Sequence, residues 1–177
     1  SNLMNTDIEL SKAERENFTE LINTNSDLLL NLINDILDLS RIESGRMSFS
    51  FQQYSLNELI STIYQTFQVL MPENVELRMQ IPEKSISIPT DKLRLTQVIT
   101  NFLSNAIKFT QKGYILIGYE YREEGRHVHI FVEDTGIGIP KEKQDAVFNR
   151  FTKLDEFAKG TGLGLSICKV IAERFDG

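Results

Sequence analysis

Three short stretches of this 177-residue chain carry residue types whose spacing could do chemistry. The first is DTGIGIP, residues 134–140, at the end of an alternating run. Its Asp134 would stand at a strand end, above a glycine backbone that lets a flat ligand approach closely. A carboxylate there can accept from an exocyclic amine such as adenine N6. The second stretch is GTGLGL, residues 160–165, which runs directly into the apolar-periodic SICKVIAE. A helix opened by glycines presents bare N–H groups and its positive end, a seat for phosphate. The third is NFLSNAIKFT, residues 101–110. Asn101, Asn105 and Lys108 fall at i, i+4 and i+7 on one helical face, with Phe102, Leu103, Ala106 and Ile107 turned inward. An Asn carbonyl oxygen suits Mg2+, which takes its other ligands from phosphates and water, and Lys108 would neutralise phosphate charge. Taken singly, these stretches also read as a turn, a helix start and a solvated face. Neither glycine run satisfies GxGxxG, and no Walker-type GxxxxGK pattern occurs.

The elements that must position these residues follow from periodicity. Ser11 to Glu14 is a capping box, and beyond it Phe18, Ile22, Asn25, Leu29, Leu32, Ile36 and Leu39 recur at alternating spacings of four and three. Leu21, Leu28, Ile33 and Leu37 widen that seam, which suits a helix of a four-helix bundle. One helix cannot form a bundle, so the pattern predicts partner helices, most simply from a second copy of the chain. The alternative is a surface helix packed on the chain's own core. Gly45 is expected to end the helix.

Met47–Leu56 then alternates like a strand, and Ser55 to Glu58 opens a helix to about Leu70. VELRMQI reads as a strand and SISIP as a short extended piece, before Thr90 or Asp91 caps a helix through about Phe109. YILIGYEY and RHVHIFVED form a hairpin turning at Gly125. Pro140 could start a short helix holding Phe148 and Phe151, followed by LDEFAKG, polar enough for a lid. The order predicts an α+β fold, a two-layer sandwich of a mixed, largely antiparallel sheet with helices on one face.

A net charge of −6 argues against a nucleic-acid partner. The lone Cys168 rules out a disulfide framework and fits a reducing, cytoplasmic setting. No apolar run approaches the roughly 18 to 20 residues of a membrane span, so no membrane contact is expected of this stretch.

In order and spacing, NFLSNAIKFT, DTGIGIP, FNRF and GTGLGL resemble the N, G1, F and G2 boxes of sensor histidine kinases. Their catalytic domain has the Bergerat fold shared with gyrase, mismatch-repair ATPases and a heat-shock chaperone. The helix DLLLNLINDILDLSRIESGRM is similar to the second helix of that family's dimerisation and phosphotransfer domain. The resemblance implies residues 1–44 as part of a dimerisation domain and 45–177 as an ATP-binding domain. It implies Mg-ATP as ligand, with Asp134 reading adenine, Asn105 holding Mg2+, and Asn101 and Lys108 reaching the phosphates as the catalytic pair. Gly136, Gly138, Ile139, Gly160, Thr161, Gly162, Leu163 and Gly164 would shape the pocket and lid, and Lys153 would add a phosphate contact. It further implies a homodimer through the N-terminal helix, a response regulator as partner, and a parent protein that could be anchored in an inner membrane.

Two departures bear on that implication. The family's acceptor histidine lies on the preceding helix, whereas His127 and His129 alternate with Val128 and Ile130 on a strand. The chain is therefore expected to start after the acceptor helix, and to stop at ERFDG before a hairpin that completes the family's sheet. Relatives that hydrolyse ATP are similar to each other in a Glu at the place of Asn101, and an Asn cannot act as general base. The expected activity is transfer of the γ-phosphate to a histidine. The alternatives are an ATP hydrolase of the gyrase or mismatch-repair type and a degenerate ATP-binding module.

Overall fold

The computed structural model describes residues 11–122, 127–152 and 161–177. Helix α1 (Lys12–Glu43) opens on the expected capping box, with Glu14 N–H donating to Ser11 Oγ at 3.3 Å and Ser11 N–H to Glu14 Oε2 at 2.8 Å. It closes on Gly45 at φ +65°, where Gly45 N–H reaches the Ile42 carbonyl at 3.0 Å and Arg46 N–H the Arg41 carbonyl at 2.8 Å. That pair of bonds is the Schellman closure, and only glycine adopts its left-handed position without strain. Most of the apolar stripe on α1 is uncovered: Phe18, Ile22, Leu29 and Ile36 are each at least half exposed. Among the described residues, the last turns, through Asp35, Asp38, Leu39 and Ile42, pack on the rest of the chain.

Beyond α1 come β1 (Gln52–Ser55), α2 (Leu56–Gln68), β2 (Val75–Gln80), β3 (Ser87–Thr90), α3 (Lys92–Phe109), β4 (Gly113–Arg122) and β5 (His127–Asp134). Two 3-10 turns, Lys141–Lys143 and Ala146–Phe148, precede α4 (Gly164–Arg174). The described strands form two sheets. β1 pairs antiparallel with β3, and a second sheet runs β2-β4-β5, parallel between β2 and β4 and antiparallel between β4 and β5. In that sheet Ile115 lies opposite Asp134, which puts the acidic end of β5 beside the start of β4.

One face of the larger sheet, through Leu77, Ile115, Ile117 and Tyr119, is buried by Leu56, Ile60 and Ile63 of α2 and Ile99 and Leu103 of α3. Each such side chain removed from water contributes about 1.5 to 3 kcal/mol before entropy is counted. The Tyr119 hydroxyl satisfies its burial by donating to Asn57 Oδ1 at 2.6 Å. A second cluster of Leu163, Ile167 and Ile171 takes in Leu39, Ile42, Met47, Phe49 and Val98, and so joins the end of α1 to α3 and α4.

Two expectations change. The predicted strand from Met47 is a strand only at Gln52–Ser55. Met47 and Phe49 turn into the second cluster, and Ser50 N–H donates at 2.8 Å to Asp91 Oδ2 instead of to a strand. Asp91 uses its other oxygen to cap α3, from Arg94 N–H at 3.1 Å. The short helix after Pro140 is two separate 3-10 turns, and Phe151 lies beyond them at φ +60°. Gly125 and the LDEFAKG segment lie outside the described residues.

Candidate functional site

α3 carries the polar face. Leu103 and Ala106 are buried against the sheet, Phe102 and Ile107 are half-buried, and Asn101, Asn105 and Lys108 stay on the outer side. Asn101 faces α4: its Nδ2 lies 3.5 Å from the Gly164 carbonyl and 3.4 Å from Cys168 Sγ. A Cβ on Gly164 would sit 3.2 Å from Asn101 Oδ1, so a glycine there lets α4 begin against α3. Burial pushes the Cys168 thiol up to about 11, with Asn101 partly opposing and Asp35 adding to the rise. Asn105 is half-buried one turn further along α3. Lys108 is exposed, with its ammonium 4.8 Å from the Phe109 ring.

At the far end of α3 the acidic terminus of β5 is held in place. Asp134 Oδ1 accepts from Gly136 N–H at 2.8 Å and from the Thr110 hydroxyl at 3.4 Å. Thr110 is buried at the C-terminus of α3, so a helix end and a strand end share one carboxylate oxygen. Ile137 N–H donates to the Phe109 carbonyl at 3.3 Å. A Cβ on Gly136 would lie 2.5 Å from that carbonyl oxygen and 2.7 Å from Asp134 Oδ1, so no other residue fits. Gly138 has φ +69° and open space around it. Ile139 is exposed, and its carbonyl accepts from Gln144 at 3.1 Å.

The other end centres on the turn into α4. Gly162, at φ +73°, accepts Phe151 N–H on its carbonyl at 2.9 Å. The Thr161 hydroxyl accepts from Leu163 N–H at 3.1 Å and donates to Asp35 Oδ2, on α1, at 2.7 Å. Leu163 is fully buried, and α4 starts with no side-chain cap, which leaves first-turn amides able to meet an anion. Burial raises the Asp35 carboxyl above its ordinary range; the Thr161 bond partly offsets this and nearby Asp38 adds to it. Below that contact, Asp38 is buried and accepts from Arg94 on both oxygens at 3.0 Å and from Gln97 at 2.8 Å. Glu43 and Arg150 pair at the base of the helix.

The structure thus brings Asn101, Thr161, Gly162, Leu163 and Gly164 together at one end and Asp134, Gly136, Gly138 and Ile139 at the other, with Asn105 and Lys108 on the helix between them. Lys153 and Gly160 lie outside the described residues. The residues fit a nucleotide: an oriented carboxylate at one end, an uncapped helix start at the other, and an amide and an amine between. They fit a magnesium ion only with help from the ligand. No group of three His, Cys, Asp or Glu among the described residues could hold a metal, so Asn105 would need phosphate oxygens and water as co-ligands. Thr110 and Asp35 escaped the sequence reading. Thr110, closing NFLSNAIKFT, could have been suspected as a helix-terminal hydroxyl; nothing in the local pattern singles out Asp35.

Comparison with known proteins bears on the family. Residues 90–177 match the family described as histidine kinase-, DNA gyrase B- and HSP90-like ATPases. The chain is 36% identical over 187 residues to two-component system protein A of Emericella nidulans, covering 98% of this chain and 27% of that relative. Among solved structures, full-length ShkA in complex with AMPPNP superposes at a TM-score of 0.78 and 28% identity, over 93% of this chain and 35% of that one. The catalytic domain of histidine kinase ThkA matches at 32% identity and a TM-score of 0.62, over 71% of this chain and 81% of that domain. The chain therefore spans well under half the length of the full-length relatives.

Proposed function

The chain belongs to the histidine kinase family, and from that membership we propose that it binds Mg-ATP and presents the γ-phosphate to a histidine on a dimeric helical bundle. The observation that carries this reading is the shared carboxylate oxygen of Asp134, fixed by Thr110 and Gly136. With Oδ1 so engaged, Oδ2 is left to accept from the adenine amine. A buried hydroxyl and a backbone amide orient the carboxylate before any ligand arrives, which lowers the cost of binding.

At the other end, the amides of the α4 start would receive the phosphates, with Lys108 and Lys153 adding positive charge. Gly136, Gly138, Ile139, Gly160, Thr161, Gly162, Leu163 and Gly164 would shape the pocket. A magnesium ion held by Asn105 would neutralise the phosphate oxygens as charge shifts during transfer. The side chain of Asn101 carries no base, so the site would not activate water well. An imidazole nitrogen would attack the γ-phosphorus in line, and the bond to the β–γ bridging oxygen would break, releasing ADP. His127 and His129 are poor candidates for that nitrogen: both lie on β5, and His129 sits 3.3 Å from Glu120.

In this reading residues 1–44 belong to the bundle and 45–177 to the ATP domain. The uncovered stripe on α1 would meet a second copy of the chain, and a response regulator would receive the phosphoryl group. No described helix is long and apolar enough to cross a membrane, and we place this part of the protein in the cytoplasm.

Calorimetric titration tests the premise. Mg-ADP should bind, Mg-GDP should not, and Asp134→Ala should weaken ADP by about tenfold to a hundredfold, the worth of a hydrogen bond to a charged group. Equal affinity for guanine and adenine nucleotides, or an Asp134→Ala variant that binds like wild type, would refute it.

A further inference from the structure

The nucleotide reading leaves one part-buried acidic group without a role. Asp35 projects from α1 onto the turn before α4, where Thr161 donates to it at 2.7 Å while accepting from Leu163 N–H at 3.1 Å. A carboxylate of the bundle helix therefore lies two hydrogen bonds from the Leu163 amide, directly before the first-turn amides of α4 assigned to phosphate. Its neighbour Asp38 is matched by Arg94, but among the described residues Asp35 has no ion pair. Its charge also contributes to the raised thiol of Cys168, in the second turn of α4, so its field extends into that helix.

An anion at the α4 amides and a carboxylate on Thr161 repel each other, and the repulsion grows with the charge of the anion. A magnesium-bound triphosphate carries one more negative charge than the diphosphate. Resting on the nucleotide reading above, we propose that Asp35 is a specificity-determining residue: while α1 is docked, its carboxylate disfavours the triphosphate relative to the diphosphate. Linkage then requires the reverse effect, in which seating the γ-phosphate loosens Asp35 from Thr161. The bundle helix would feel which nucleotide is bound, through a single side chain.

Asp35→Asn keeps an oxygen for Thr161 and removes the charge. Titrating the whole chain with Mg-ADP and with Mg-AMPPNP, the substitution should tighten AMPPNP about five- to tenfold and ADP less than about twofold. In the wild-type chain, AMPPNP but not ADP should speed amide hydrogen exchange in α1 around residues 32–39, and the variant should lose that difference. Equal changes for the two nucleotides, or none, would overturn the role of Asp35 and leave the nucleotide site standing. If neither nucleotide binds to folded wild type or variant, the nucleotide reading falls and this inference falls with it.

Discussion

The two ends of the candidate site are built by opposite means. The proposed adenine end is assembled from neighbours: Asp134 is fixed by Gly136, two residues on, and by Thr110, at the end of the helix that leads into the same sheet. The proposed phosphate end is assembled from strangers. Thr161 is tied to Asp35 across 126 positions of sequence, Gly164 rests against Asn101 across 63, and the α4 core is shared with Leu39 and Ile42 of α1. One end should keep its shape whatever α1 does, whereas the other should depend on α1 being docked.

The hardest blow to that contrast is aimed at the docking itself. Asp38 and Arg94 form a buried pair, and removing Asp38 strands the Arg94 charge. Asp38→Ala should cost about 3 to 5 kcal/mol in urea unfolding, and Arg94→Ala less, because Arg41 at 3.4 Å and Gln97 still reach Asp38. The double variant should lose less than the sum of the two, because the Arg94 charge is then no longer left alone. Adenine preference over guanine should survive in all three if the adenine end is self-contained. Loss of that preference in Asp38→Ala would show that both ends lean on α1.

A second test uses pH and probes the α4 side alone. The Cys168 thiol rises from 9.0 to about 11 through burial. An acid whose folded pKa is raised keeps its proton while the unfolded chain gives it up, so stability is complete below pH 9 and falls as pH climbs through 11. A shift of this size corresponds to about 3 kcal/mol. Tyrosines and lysines also titrate there, so the measurement is the difference in slope between wild type and Cys168→Ala in chemical unfolding at pH 8 to 11. Identical slopes would mean that the thiol is not enclosed as described, and that α4 packs more loosely on α3.

The same contrast explains what the sequence made legible. Capping residues and periodicity are local, and they located α1 from Ser11, α2 from Ser55 and α3 from Asp91 with little error. The spacing within NFLSNAIKFT placed three polar side chains on one face because a helix fixes that geometry by itself. The turn that orients Asp134 was readable for a related reason, since DTGIGIP contains both the carboxylate and the glycine that binds it. Met47 to Phe51 misled because alternation cannot reveal that Asp91 will capture the Ser50 amide. Asp35 was invisible because its meaning lies in a threonine on another element. A heptad reading treats it as one more polar position beside the seam.

The smallest test compares one glycine from each end. Gly138 and Gly162 both adopt left-handed backbone, at φ +69° and +73°. Around Gly138 there is open space, so Gly138→Ala should cost only the conformational strain, about 1 kcal/mol. A Cβ on Gly162 would meet the Phe151 backbone at 3.0 Å, and that backbone is tied to Gly162 by its own hydrogen bond. Strain and collision should then add, making Gly162→Ala the costlier of the two by thermal unfolding. The local cost at Gly138 would stay within its turn, whereas displacing Gly162 would also pull on Thr161 and through it on Asp35. Faster hydrogen exchange in α1 after Gly162→Ala, and none after Gly138→Ala, is the expected mark of an end that is borrowed from elsewhere in the chain.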